Sequence, residues 1–265
     1  MITITSSSNS TIKEIKSLYK RKERWKKQLF LVEGIKIVEE CMDNGYPITN
    51  IVYSDELFNV RGGEAFFNKI KSYDRLINVP DKLYKDICDT ENPQGVLAVA
   101  KFEINSAESI KDKNNPFLLL LDEVQDPGNM GTIIRTADAF EIDGIIITEG
   151  CVDVYNPKVV RSTMGSIFRV PIYHELDGRK IIEEFKKQNI NIYSSSLKGS
   201  QYIQDTNFKE GSILIIGNES RGVSHTLYSL SDKLISIPMI GEAESLNVAV
   251  ASSIIMYEVM RQRSQ

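Results

Sequence analysis

The chain has 265 residues, 42% hydrophobic and 26% charged, which excludes a disordered polymer and suits one large domain or two smaller ones. No apolar run approaches the roughly 20 residues that span a bilayer, and the first ten residues have neither the basic region nor the apolar stretch of a signal peptide, so a cytoplasmic protein without a membrane partner is expected. The net charge of −4 argues against a general binder of polyanions, and Cys41, Cys88 and Cys151, odd in number and widely scattered, argue against a disulfide framework or a zinc site, so reduced thiols and no metal are expected.

In chain order, Ser8-Asn9-Ser10 is a capping signal for a helix running toward Arg24, with Ile12, Ile15, Leu18 and Tyr19 on its apolar face. This stretch also concentrates positive charge: Lys13, Lys16, Lys20, Arg21, Lys22, Arg24, Lys26 and Lys27 stand against Glu14 and Glu23. Local clustering, not the total, sets attraction to phosphates, so these eight are candidate RNA or DNA contacts, with Tyr19 and Trp25 as rings able to stack on bases; the other reading is an ordinary solvated helix face. A short strand follows at Leu29 to Val32, then a helix from Gly34 stopped by Asn44-Gly45, a strand at Ile48 to Tyr53, a helix through residues 65–70, and strands at Leu76 to Val79 and Val96 to Ala100. Asn105 to Pro116 is polar and reads as a linker, which places a small α/β domain at residues 1–104, the linker at 105–115 and a second domain at 116–265. That second part alternates strands near 117–121, 144–148, 190–194, 212–216 and 234–237 with helices near 130–141, 156–165, 178–188, 222–230 and 247–262, the pattern of an α/β domain with a mostly parallel sheet covered on both faces.

Several familiar sites are missing. No Gly-x-Gly-x-x-Gly follows a strand, and Gly217 and Gly222 have P-loop spacing but Val223 stands where the lysine belongs. There is no Gly-x-Ser-x-Gly elbow, and the two histidines, His174 and His225, are neither paired nor at metal spacing. What remains are three edges at which an apolar strand runs into a turn: Leu121-Asp-Glu-Val-Gln-Asp-Pro-Gly-Asn-Met-Gly-Thr-Ile-Ile-Arg135, Leu214-Ile-Ile-Gly-Asn-Glu-Ser-Arg-Gly222 and Ile237-Pro-Met-Ile-Gly-Glu-Ala-Glu-Ser-Leu-Asn247. Ligands in α/β sheets sit beyond the carboxyl ends of strands, so these edges can converge on one site. Taken singly, Asn129 reads as a helix N-cap, Arg135 as a surface arginine paired with Asp138, Glu219 as a turn residue, and Ser245 or Asn247 as a cap for the final helix.

Together, the three segments resemble the three motifs of the SpoU (TrmH) family of RNA ribose 2′-O-methyltransferases, within the SPOUT superfamily, over roughly Pro116 to the C-terminus. The N-terminal part resembles, less distinctly, the small ribosomal-protein-like RNA-binding domain that often precedes it. The resemblance implies a parallel sheet with a C-terminal deep trefoil knot, S-adenosylmethionine as cofactor, and a homodimer with its site at the subunit interface. It puts Asn129, Arg135, Glu219, Ser245 and Asn247 in the catalytic set and Ile216, Gly217, Asn218, Ile237, Met239 and Leu246 around the cofactor. Asn156-Pro157 through Gly165, with its small Ser162 and Gly165, also looks like the family, in a packing role near cofactor or RNA. The implied reaction is methyl transfer to a ribose 2′-hydroxyl, most directly in ribosomal RNA. The alternatives are transfer RNA as substrate and a ribosome-binding assembly factor that keeps the fold without catalysis. For Arg135 the resemblance admits two roles, taking the proton or stabilising the oxygen while solvent or phosphate takes it.

Overall fold

The structure, a computed structural model, describes residues 2–105, 110, 113–174 and 177–264, so 106–109 and 111–112 of the expected linker lie outside the described residues. The chain divides into two compact units, one formed by Met1–Glu103 with Asp153–Phe168 and the other by Ile104–Val152 with Arg169–Gln265.

The first unit is built on β1 (Ile2–Thr3), β2 (Leu29–Glu33), β3 (Ile48–Tyr53), β4 (Leu76–Asn78) and β5 (Val96–Lys101), in the order β1-β4-β3-β5-β2. Strand β5 runs antiparallel to both β2 and β3, and the other pairings are parallel. Asn9 caps the Ser10–Ser17 helix by accepting the Thr11 amide at 2.8 Å. The single helix expected toward Arg24 is instead two, Ser10–Ser17 and Arg21–Lys27. The break follows from Arg24, whose Nη1 donates to the Leu18 carbonyl at 2.7 Å and so satisfies an open helix end, while Leu18 turns into the core. Ile12, Ile15 and Leu18 pack with Val52, Leu83, Tyr84 and Leu97. Asp153–Phe168 is covalently part of the β7–β8 connection of the other unit, yet packs in this one. Tyr155 stacks on Phe102 with centroids 3.9 Å apart, and the Arg24 Nε donates to Asp153 Oδ2 at 2.8 Å with both side chains buried.

The second unit holds seven strands: β6 (Phe117–Leu121), β7 (Gly144–Ile147), β8 (Ile172–His174), β9 (Asn191–Ser195), β10 (Gln201–Tyr202), β11 (Ser212–Ile216) and β12 (Lys233–Ser236). Their order is β10-β12-β9-β11-β6-β7-β8, and every pairing is parallel. Runs such as Phe-Leu-Leu-Leu-Leu and Ser-Ile-Leu-Ile-Ile are buried throughout, as strands covered on both faces must be. The short strands β1, β8 and β10 are not legible in the sequence. From β6 the chain moves outward through β7 and β8, then returns to β9 on the other side, and β11 fills the gap beside β6. That reversal makes the carboxyl ends of β6 and β11 a topological switch point, where α/β sheets open a crevice for ligands. Among the described residues, no helix is long and apolar enough to cross a membrane.

Candidate active site

Leu121 and Ile216 stand side by side as the last residues of β6 and β11. The Asp122 amide donates to the Ile216 carbonyl at 2.8 Å, so the two loops leave the sheet together. Buried Asp122 then accepts the Ser224 amide at 2.6 Å and fixes where the β11 loop returns. Between these anchors, residues 218–222 form a tight hairpin in which Asn218 and Gly222 exchange backbone hydrogen bonds of 3.0 and 2.9 Å. Gly217 is required beneath it, since a Cβ there would lie 2.1 Å from the Gly222 carbonyl carbon and the Val223 nitrogen.

Glu219 sits on this hairpin and gathers donors from the β6 loop. Its carboxylate accepts the Asp126 amide at 3.1 Å, the Gln125 amide at 3.3 Å and the Asn129 side-chain amide at 3.1 Å. Partial burial pushes its pKa upward, but these hydrogen bonds outweigh that and hold the carboxyl below its ordinary value. Asn129 in turn accepts from the Asn247 side-chain amide at 2.9 Å, while Asn247 caps the Val248–Arg263 helix through the Ala249 and Val250 amides. A continuous bridge, Glu219–Asn129–Asn247, thus ties together the three strand edges picked out in the sequence.

Two of the single-residue readings are corrected. Asn129 is the third residue of the Pro127–Ala139 helix, not its cap; Asp126 is the cap, accepting the Asn129 amide at 2.8 Å, with Pro127 at the first helical position. That frees the Asn129 side chain for the bridge. Nor is Asp138 the partner of Arg135: it holds Arg169, with Nη2 at 2.8 Å. Arg135 is exposed and makes no hydrogen bond or ion pair among the described residues. It follows Asn129 by six positions, about 9 Å along the axis at about 1.5 Å per residue, and so stands apart from the bridge.

Beside the bridge lies a cavity of about 540 Å³, within the usual range for small-molecule sites. Gly217, Asn218, Glu219, Ile237, Met239, Ser245 and Leu246 line it, as do Ser195 to Lys198, Val223 and Tyr228. Ile216 is not in the wall; it is the buried end of β11, with its carbonyl taken by Asp122. The β9 loop escaped the sequence reading, although Ser194-Ser-Ser-Leu-Lys-Gly-Ser200 after an apolar strand was a usable signal; only the strand order shows that β9 neighbours β11. His174 and His225 do not line the cavity.

In the first unit, Lys13, Lys16, Lys20, Arg21, Lys22 and Lys26 are exposed. Arg24 does not belong with them: it is 2% exposed and committed to Asp153, a buried counter-ion the sequence could not indicate. Lys27 is drawn to Glu14 and Glu23, at 3.4 and 3.7 Å. The two rings considered as stacking platforms serve the fold, Trp25 edge-on to Phe102 at 5.3 Å and Tyr19 donating to the Ile87 carbonyl at 2.8 Å. Gly165 has φ +96° and faces Glu40 of the first unit, which gives the 156–165 segment a packing role there. All three cysteines are free, and burial pushes their thiols up to about 12, 12 and 11 for Cys41, Cys88 and Cys151, leaving them inert near neutrality.

A parallel α/β domain with a glycine-backed cavity beyond the carboxyl ends of β9, β11 and β12 has the layout of a ligand-handling enzyme domain. Residues 116–257 match the SpoU rRNA Methylase family, and residues 9–98 match the MRM3-like substrate binding domain. The chain belongs to the SpoU family. It is 33% identical over 256 residues to the 23S rRNA (guanosine(2553)-2′-O)-methyltransferase RlmP of Bacillus subtilis, covering 97% of this chain and 98% of that one. It is 30% identical over 248 residues to the 23S rRNA (uridine(2479)-2′-O)-methyltransferase of Streptomyces viridochromogenes, covering 92% and 86%. Among solved structures, the SpoU methyltransferase AviRb of that organism in complex with AdoMet superposes with a TM-score of 0.86 at 28% identity, over 97% of this chain and 99% of that one. The AdoMet-bound rRNA methyltransferase of Sinorhizobium meliloti superposes with a TM-score of 0.82 at 31% identity, over 98% and 97%.

Proposed function

We propose that this protein is an S-adenosylmethionine-dependent methyltransferase acting on a ribose 2′-hydroxyl of ribosomal RNA, with 23S RNA the first substrate to test. The observation that carries the reading is the Glu219–Asn129–Asn247 bridge, which ties all three family segments together beside a cavity lined by the second and third of them. The cavity suits the cofactor. Ile237, Met239, Leu246 and Val223 offer apolar surface for a nucleoside, Ser195, Ser196, Ser236 and Ser245 offer hydroxyls, and Gly217 leaves backbone exposed to close approach. When bound, S-adenosylmethionine supplies a sulfonium-activated methyl group, so the residues have to align the ribose oxygen and manage its proton. Alignment is worth up to about 7–11 kcal/mol of the barrier.

Glu219 is a poor base, because its charge is held by N–H donors and its pKa is depressed. The role of Arg135 is to hold an RNA phosphate through its planar guanidinium and stabilise the oxygen as the proton leaves to solvent. Arg135 does not line the cavity of its own chain, which fits a site completed by a second copy. A dimer also accounts for the Val248–Arg263 helix, which packs on Pro127–Ala139 and leaves Val250 and Tyr257 about half exposed. The trefoil knot of the family and a cytoplasmic location belong to the same reading. So do the domain roles, with residues 1–104 holding RNA through Lys13, Lys16, Lys20, Arg21, Lys22 and Lys26. The test is transfer of labelled methyl from S-adenosylmethionine into 23S RNA lacking the modification, repeated with Arg135→Ala, which should drop the rate by about 10²–10³. A wild-type protein that labels no unmodified RNA would sink the idea.

A further inference from the structure

The cavity has two cations among its described lining residues, Lys198 from the loop after β9 and Arg221 from the hairpin after β11. Neither is one of the residues that the family resemblance marks. Arg221 is strongly exposed, at 68%, and its guanidinium is paired with Glu123 in the β6 loop. Glu123 has φ +57°, a left-handed backbone that a glutamate adopts at a cost and that the surrounding loops must hold in place. Its carbonyl accepts the Asn218 side-chain amide at 2.9 Å, so the hairpin is fastened to Glu123 at two points, one through backbone and one through charge. The charged fastening is the weak one, because solvent screens an ion pair this open. Lys198 is exposed and has no ion pair among the described residues. Glu219, the acidic residue in the wall, accepts three N–H donors from the β6 loop and its helix and forms no ion pair with either cation.

We infer that Arg221 and Lys198 form a phosphodiester clamp at the rim of the methyl-donor cavity, and that Glu123 holds Arg221 in place until the RNA backbone displaces it. Arg221 suits the task because its planar fork meets two phosphate oxygens at once. The exchange trades an exposed carboxylate partner for a phosphodiester. Lys198 grips as a point charge from the neighbouring loop. Both are positioning residues: they hold the strand that carries the target ribose, and neither handles the transferred methyl or the proton. The inference rests on the reading of the site as an RNA methyltransferase.

The test measures RNA affinity as a function of salt, the KM for RNA and S-adenosylmethionine affinity in the full-length protein. Arg221→Ala should weaken RNA binding by about tenfold, reduce the salt slope by about one and leave cofactor affinity unchanged. Lys198→Ala should act in the same direction. Glu123→Gln should do the opposite and lower the KM for RNA, since it removes the carboxylate that competes for Arg221, and that gain should disappear in Glu123→Gln combined with Arg221→Ala, whereas a mere loss of negative charge would keep it. If the loss in Arg221→Ala falls on cofactor affinity, the arginine serves the donor's carboxylate and the clamp is wrong. The clamp is equally wrong if Arg221→Ala keeps the wild-type slope or if Glu123→Gln weakens RNA binding. A wild-type protein that binds RNA with a normal slope yet methylates none refutes the enzymatic reading instead, and the slopes of the variants still judge the clamp.

Discussion

Asn129 does more than any other single residue to assemble the site. It donates to Glu219 and accepts from Asn247, so Asn129→Ala removes a hydrogen bond to a charged group and leaves the Asn247 side-chain amide without its acceptor. Such bonds are worth about 1.5–3 kcal/mol, which predicts a fall of about 10- to 100-fold in methyl transfer, read by label incorporation, with secondary structure intact by circular dichroism. Glu219 sets the pH behaviour of the same bridge. Its folded pKa lies below the unfolded value, so its contribution is fully present above the ordinary carboxylate range and is lost as pH falls through the depressed folded value. Cofactor affinity should therefore hold level from neutrality into mildly acidic buffer, whereas Glu219→Gln should weaken it already at neutral pH; calorimetric titration of both proteins across pH is the check. In the first unit, Asp153→Ala strands Arg24 as a buried charge without a partner. Loss of one member of such a pair costs about 3–5 kcal/mol, and denaturant unfolding should show it.

Among the elements, the β11 hairpin is the one with least room to vary. Gly217 lies directly under backbone of Gly222 and Val223, so Gly217→Ala meets main chain, which cannot rotate away as a side chain would. The hairpin must lift, carrying Glu219 off its donors and reshaping the cavity. S-adenosylmethionine affinity should fall by at least about tenfold, about 1.4 kcal/mol, while the buried β11 strand behind it keeps its pairing with β6 and β9. A melting temperature close to wild type, together with lost cofactor binding, would mark the effect as local. The N-terminal helices show the opposite case. A continuous apolar spacing suggested one helix, but a tertiary hydrogen bond from Arg24 closed the first helix at Leu18. Periodicity records which faces are apolar and is blind to a guanidinium arriving from the next turn.

For the whole molecule, the proposed dimer makes a prediction that a monomer does not. Arg135 stands outside the cavity wall of its own chain, so Arg135→Ala and Gly217→Ala proteins, each impaired alone, should regain part of the activity when mixed at limiting S-adenosylmethionine, provided subunits exchange. Tyr257→Glu, on the exposed face of the last helix, should shift the mass measured by light scattering toward a single chain. The alternation of strands and helices in the second unit, the family, the three edges that make the site and the clustering of basic charge near the N-terminus were all legible along the chain. Those depend on apolar period, glycine and cap positions, and short local spacings, all written along the chain. The tertiary structure decided the rest. It set the order β9-β11-β6 that brings the unread β9 loop into the cavity, removed Arg24 from the solvent, gave Asn129 its two partners and packed Asp153–Phe168 in the first unit. Each of these depends on residues far apart in sequence meeting in space, where burial and hydrogen bonding, not spacing, determine the partner.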